Sequence, residues 1–302
     1  MAYDRIMDFP GRFSDYILPE KIHILNVCFN VNGLVEKFGG TAGNIAYSLS
    51  LLKEKPRILA TIGKDCHSYF EWLRKNNIPV DGIRIIDDEF TAGAYITTDM
   101  ADNQITGFNP GAMKYPSNCS LDGSSPESSL TLIAPGNLQD MIRYAGICRE
   151  KEIRYICDPG QSLTKWEAAQ LIEWLKGAMA LISNDYELEM IMKITGMDKK
   201  GLSGLTTFVI TTLGEKGSLV SAADFEAYIP AAKAGSVVDP TGAGDAYRAG
   251  LIKGIAEGKD IVTAGRMGAV AAVYAVEKYG TQEHFFTYED FLERYRSNFG
   301  DI

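Results

Sequence analysis

From about residue 40 onward, short apolar and β-branched runs alternate with longer stretches whose apolar positions recur at helical spacing. Residues 57–62 read Arg-Ile-Leu-Ala-Thr-Ile, the pattern of a strand buried on both faces. Residues 129–134, 153–157, 180–183 and 207–212 repeat it. Between and beyond them, Ile45, Leu49 and Leu52 mark one helix, and others are predicted over 138–149, 166–175, 243–257 and 261–277. Alternation of this kind predicts a mostly parallel sheet with helices on its faces.

Two segments, 22–38 and 92–108, break the rhythm. They predict short strands at 22–30, 92–99 and 104–108, with Asp102-Asn103 as a hairpin turn. Such strands can stand off the main sheet as a lid over a site; edge strands of a single sheet are the alternative. The expected organisation is one domain over 1–302, its lid inserted from about 9–38 and 88–112.

The bulk numbers narrow the function. The chain has 302 residues, 46% hydrophobic and 23% charged, as a folded domain with a sizeable core requires. A net charge of −9 disfavours a nucleic-acid partner, which selects for a basic face. No apolar run approaches the roughly 18 residues of a membrane span. The opening Met-Ala-Tyr-Asp-Arg lacks an apolar signal region, so no membrane association and a cytoplasmic location are expected. The cysteines Cys28, Cys66, Cys119, Cys148 and Cys157 are odd in number, widely spaced and without a C-x-x-C, as free thiols are. His23, His67 and His284 are too scattered for a structural zinc site.

The chemistry concentrates in Asp239-Pro-Thr-Gly-Ala-Gly-Asp-Ala-Tyr-Arg-Ala-Gly250. The Gly242-Ala243-Gly244 turn feeds directly into a helix. Unpaired amides and the helix dipole then make an anion hole suited to a phosphoryl group in transfer. Asp245 in the first helical turn can accept a proton from an attacking hydroxyl. Read alone, Asp245 is equally a helix cap. Gly250 and Gly254 read as contacts for a close-packed helix. A second glycine turn, Gly39-Gly-Thr-Ala-Gly-Asn44, also opens a helix, and its amides and Asn44 suit sugar hydroxyls. Neither is a Walker A loop, and no H-R-D loop is present.

Together, in this order and at this separation, G-G-x-x-x-N and D-x-x-G-A-G-D resemble the two signatures of the ribokinase-like (PfkB) family. The resemblance covers nearly the whole chain. It implies a ribokinase-like three-layer α/β sandwich with a small β-sheet lid, and phosphoryl transfer using ATP and Mg²⁺. It implies Asp245 as catalytic base, Gly242, Ala243 and Gly244 as anion hole, and Gly40 and Asn44 at the sugar. Asn184-Asp-Tyr-Glu187 resembles the family's N-x-x-E element, placing Asn184 and Glu187 at Mg²⁺ through water; read alone it is a helix cap. Thr212-Leu-Gly214-Glu-Lys-Gly217 resembles the family's nucleotide-side turn.

Residues 9–14, 104–113 and Gly280-Thr-Gln-Glu283, together with Asp239-Pro240-Thr241 and Arg248, are similar to bacterial adenosine kinases of the mycobacterial type. That likeness implies transfer to the adenosine 5′-hydroxyl. It implies ribose contacts by Asp4, lid contacts by Cys28 and Phe29, and base contacts by Phe108 and Gln161. Ala94 stands where that group carries an aromatic residue. Only Met1-Ala2-Tyr3 precede Asp4, where the family has a full strand, so a sheet short of an interior strand is expected. A sugar kinase acting on ribose or a related furanose, and a nucleoside sensor without turnover, are the competing readings. A homodimer through the lid is compatible with each. A K⁺ requirement is left open.

Overall fold

The computed structural model describes residues 1–24, 26–101 and 103–302. The main sheet has six strands: β7 (Leu130–Ile133), β8 (Arg154–Cys157), β9 (Ala180–Asn184), β10 (Phe208–Thr212), β11 (Ser218–Ala222) and β12 (Phe225–Ile229), ordered β12-β11-β10-β9-β8-β7. Pairing is parallel from β7 to β10 and antiparallel from β10 to β12. A two-stranded parallel sheet pairs β3 (Ala60–Gly63) with β4 (Ile83–Ile86). A third sheet, ordered β2-β1-β5-β6, joins β1 (Ala2–Asp8), β2 (Asn32–Gly39), β5 (Ala92–Thr98) and β6 (Gln104–Asn109).

The helices are α1 (Thr41–Leu51), α2 (His67–Lys75), α3 (Leu138–Glu150), α4 (Ala168–Leu175), α5 (Asp185–Thr195), α6 (Lys199–Ser203), α7 (Ala243–Ala256), α8 (Ile261–Val276) and α9 (Tyr288–Phe299). The alternation of side chains along the strands sorts the core into layers. Tyr155, Cys157, Leu181 and Val209 pack with Met141, Cys148, Leu171, Trp174, Leu188 and Ile191 of α3, α4 and α5. Their neighbours Ile156, Ala180, Ile182 and Ile210 face Tyr247, Leu251, Ile255 and Ala264 of α7 and α8. Both faces are therefore covered, which is why these strands read as continuous apolar runs. Among the described residues, no helix is long and apolar enough to cross a membrane.

Several expectations shift. The strand expected at 22–30 is absent: Pro19–Ile24 is a 3₁₀ turn and the chain is irregular from 26 until β2. The β1 edge that such a strand would need is already paired with β2, and Phe29 turns onto Phe9 and Phe13 with ring centroids 4.6 and 5.4 Å apart. The small sheet also begins earlier than residue 9, because β1 is its interior strand, paired with β2 on one side and β5 on the other. Asp4 thus lies in a seven-residue strand, and the small sheet has the interior strand that the short N-terminus was expected to lack. Asp102 of the expected hairpin turn lies outside the described residues; its neighbour Asn103 donates from its backbone N to Asp99 Oδ1 at 2.9 Å. Among the described residues β3 and β7 are not paired, and a cleft of about 650 Å³ separates them.

Gly250 and Gly254 do permit close packing of α7 on α8. A Cβ at Gly250 would lie 2.4 Å from the Met267 carbonyl oxygen, and one at Gly254 2.6 Å from Ala264 Cα. Backbone cannot yield as a side chain can. Gly250→Ala is expected to lower unfolding free energy by about 1–3 kcal/mol, read as a lower urea midpoint with unchanged slope.

Candidate active site

The approach to α7 is fixed by Asp239. Its Oδ1 accepts from Thr241 N at 2.9 Å and its Oδ2 from Gly280 N at 3.0 Å. Gly242 then takes φ 80°, a left-handed value that glycine adopts without strain, and α7 begins. No side chain caps this helix, but the Ala243 amide donates to the Pro240 carbonyl at 3.2 Å, so of the expected anion-hole amides those of Gly242 and Gly244, with the helix's partial positive charge, face an anion without that competing bond. α1 starts in the same manner from Gly40, at φ 84° and uncapped. A Cβ on Gly40 would lie 2.6 Å from Ala2 N, so the turn and the start of β1 require glycine there.

The two helix starts meet. Asn44, in the first turn of α1 and 4% exposed, donates from Nδ2 to Asp245 Oδ2 at 2.7 Å. Burial pushes the Asp245 carboxyl up to about 6; Arg248 and the Asn44 hydrogen bond oppose that rise, and the charges of Asp158 and Asp4 add to it. Burial, then the charge of Asp239, also raises Asp4.

Arg248 lies one turn beyond Asp245 on α7. It donates from Nε to Asp158 Oδ2 at 2.5 Å, from Nη2 to Asp158 Oδ1 at 3.1 Å and from Nη1 to the Gly244 carbonyl at 2.9 Å. Asp158 is 1% exposed. Burial opposes the guanidinium charge, but Asp158, Asp245 and Glu187 together stabilise it. The anion-hole turn is therefore braced by a buried, forked ion pair.

On the other side, Asn184 and Thr212 end the neighbouring parallel strands β9 and β10, in register with each other. Ligands gather outside such carboxyl ends in open α/β sheets. Asn184 Oδ1 accepts from Glu187 N at 2.7 Å, and Glu187 Oε2 accepts from Asn184 N at 2.9 Å. The pair forms a capping box at the start of α5, as the motif read alone suggests. Its two side chains leave Glu187 Oε1 without a capping role, which fits a cation held through water and phosphate oxygens. Among the described residues no cluster of acidic, Cys and His side chains forms a direct metal cage. Gly214 and Gly217 bound the turn that follows Thr212, at φ 59° and 91°.

The small sheet contributes a row of side chains. Asp4 pairs in register with Ala94, and Ala94 with Phe108. In-register neighbours share one face, so a carboxylate and an aromatic ring flank a small residue across about 10 Å. Phe108 and Gln161 line the same cleft, together with Gly40 and Asn137. Cys28 is exposed, and no described contact joins it to the other candidates. Phe29 packs within the Phe9–Phe13 cluster.

A family model for pfkB family carbohydrate kinases matches residues 14–286. The chain belongs to the pfkB family. A nucleoside kinase of Methanocaldococcus jannaschii is 30% identical over 283 residues, 93% of each protein. The solved nucleoside kinase of Burkholderia thailandensis in complex with inosine is 34% identical, with TM-score 0.88, covering 99% of this chain and 96% of that one. The solved M. jannaschii nucleoside kinase gives TM-score 0.87 at 28% identity, covering 98% of this chain and 96% of that one. The architecture is the ribokinase-like three-layer sandwich with a separate small sheet. This pfkB protein is an ATP-dependent kinase that phosphorylates a hydroxyl group of a nucleoside or sugar.

The sequence singles out Asp245 and its turn but gives no signal of the Asp158–Arg248 brace, whose partners lie 90 residues apart. Breaking a buried ion pair leaves a charge unmatched. Asp158→Asn is expected to cost about 3–5 kcal/mol of stability, measured by urea unfolding; a loss below about 1 kcal/mol would show that the pair is not structural.

Proposed function

We propose that this kinase transfers the γ-phosphoryl group of ATP to the 5′-hydroxyl of adenosine, giving AMP and ADP. The observation that carries the nucleoside reading is the row Asp4–Ala94–Phe108. It offers a hydroxyl-binding carboxylate at one end and a flat apolar surface at the other. A free furanose would occupy only the Asp4 end. The nucleoside kinases among the relatives support the same choice.

In this reading Asp4, Gly40 and Asn44 hold the ribose, and Phe108 and Gln161 meet the base. Cys28 and Phe29 belong to the lid margin. Asp245 accepts the proton of the 5′-hydroxyl as that oxygen bonds to the γ-phosphorus. The bond from the γ-phosphorus to the bridging oxygen breaks, and ADP leaves with the electron pair. The amides of Gly242 and Gly244 stabilise the charge on the transferring group, joined by that of Ala243 once it releases the Pro240 carbonyl. Thr212, Gly214 and Gly217 flank the nucleotide. Asn184 and Glu187 would hold Mg²⁺ through water, and the ion neutralises phosphate charge when bound. Closure of the small sheet as a lid excludes water, which otherwise competes as acceptor.

Inosine is the second acceptor to consider, because the B. thailandensis relative was solved with it. The Gln161 amide carries both a donor and an acceptor, and so suits either purine edge. The small sheet also exposes Leu34 (60%) and Ile105 (45%), which we propose as a homodimer contact. Light scattering at micromolar concentration would read twice the 33.1 kDa chain mass if so, and the chain mass if not.

Coupled ADP release decides the substrate class. Adenosine or inosine should stimulate it strongly, and ribose and fructose weakly. Phe108→Ala should raise the nucleoside KM by about 5- to 100-fold, the usual worth of a base stack. Free-sugar activity exceeding nucleoside activity would overturn the nucleoside reading.

Asp245→Asn should cut kcat at least about 100-fold while nucleoside binding persists, as loss of a general base does. Only the ionised carboxyl can act, so wild-type kcat/KM should fall as pH drops below about 6, about tenfold per unit. An acidic limb near the ordinary carboxylate range would contradict the assignment.

A further inference from the structure

The Gly280-Thr-Gln-Glu283 segment marks a subfamily in the sequence yet has no part in the chemistry above. Its Gln282 is 3% exposed and lies beside the site. The indole Nε1 of Trp72 donates to Gln282 Oε1 at 2.8 Å. Gln282 Nε2 donates to Asn44 Oδ1 at 2.9 Å and to the Tyr69 hydroxyl at 2.8 Å. That hydroxyl donates onward to the Gly39 carbonyl at 2.7 Å. Asn44 Nδ2 donates to Asp245 Oδ2 at 2.7 Å.

The polarity of this chain is dictated by its ends. An indole N–H can only donate, so Gln282 must turn its carbonyl toward Trp72. The Tyr69 hydrogen is committed to Gly39, so that oxygen accepts from the Gln282 amide nitrogen. Two independent partners thus fix one orientation of Gln282. Its amide nitrogen then requires the Asn44 oxygen, and the Asn44 nitrogen is left facing Asp245.

We propose that Gln282, oriented by Trp72 and Tyr69, is a positioning residue that compels Asn44 to donate to Asp245 and so keeps the base ionised and its other oxygen free for the acceptor hydroxyl. This rests on the reading of Asp245 as the base. The groups bearing on Asp245 are Arg248 on its own helix, Asp158 after β8, Asp4 on β1, Tyr69 on α2 and Asn44 on α1. Arg248 favours the charged form and the aspartates oppose it. The Asn44 hydrogen bond is the remaining support for the charge.

Gln282→Glu tests the relay because a carboxylate cannot donate. Asn44 would rotate to donate to the introduced carboxylate and turn its oxygen on Asp245, which disfavours ionisation. The acidic limb of kcat is expected to move upward by about one unit or more, the worth of a hydrogen bond to a charged group. The loss in kcat should therefore shrink as pH rises. Gln282→Met, which removes the relay without adding charge, should shift the limb in the same direction by less. Should Gln282→Glu fail to fold, Gln282→Met and Trp72→Phe give the reading. A limb at its wild-type position in these folded variants, with kcat lowered equally at all pH values, would overturn the proposal. The ¹³Cγ titration of Asp245, assigned by difference against Asp245→Asn, reads the same shift without substrate. An inactive wild type would refute the kinase reading of the site; an unchanged Asp245 titration in the variants would refute the relay.

Discussion

A carboxylate drawn into protein loses hydration that only charge or hydrogen bonds can replace. Asp245 is in that position, and the architecture around it supplies the compensation. The Arg248 guanidinium lies one turn along the same helix, and the Asn44 amide reaches it from the helix alongside. Asp158, buried behind, holds the guanidinium in place while adding a negative charge of its own. The balance leaves a carboxyl pushed up to about 6, charged at neutral pH and still basic enough to take a proton. The same helix start that carries Asp245 has no side-chain cap. The proposed base and anion hole are therefore two aspects of one turn, and moving either moves both.

Much of this was legible in the chain. The main strands stood out because they are covered on both faces, and the two glycine turns because they open helices without a capping side chain. Asn184 and Glu187 were readable at once as a cap and as a family element, and the structure shows the cap fully formed. The small sheet was less legible. Its edge strands are largely exposed, with five of the eight residues of β2 and all six of β6 open to solvent, so no burial pattern marks them. The segment 22–30 carries apolar residues that mimic a strand, yet Ile22 and Ile24 are 64% and 67% exposed, while Phe29 is drawn inward by Phe9 and Phe13. What the sequence could not show was tertiary pairing across long separations. The Asp158–Arg248 brace and the Trp72–Gln282–Asn44 relay each unite residues from different elements, and no local spacing signals either.

The division of labour follows from these layers. Rigid parallel strands end in the residues expected at the nucleotide, and the helix starts hold the proposed base and anion hole. The acceptor side is built on the small sheet, whose exposed strands are free to vary in side chain and position. Ala94 places only a methyl group between Asp4 and Phe108. In the proposed reading, nucleoside choice is set by the sheet and phosphoryl transfer by the helix starts. The two can change independently.

The central claim is that the acceptor hydroxyl meets Asp245 over the uncapped start of α7. A crystal structure with adenosine and a non-hydrolysable ATP analogue tests this directly. The account places the 5′-oxygen within about 2.6–3.2 Å of an Asp245 carboxylate oxygen, on the side away from Asn44. A 5′-hydroxyl pointing away from Asp245, or a nucleoside seated elsewhere than between Asp4 and Phe108, would contradict it.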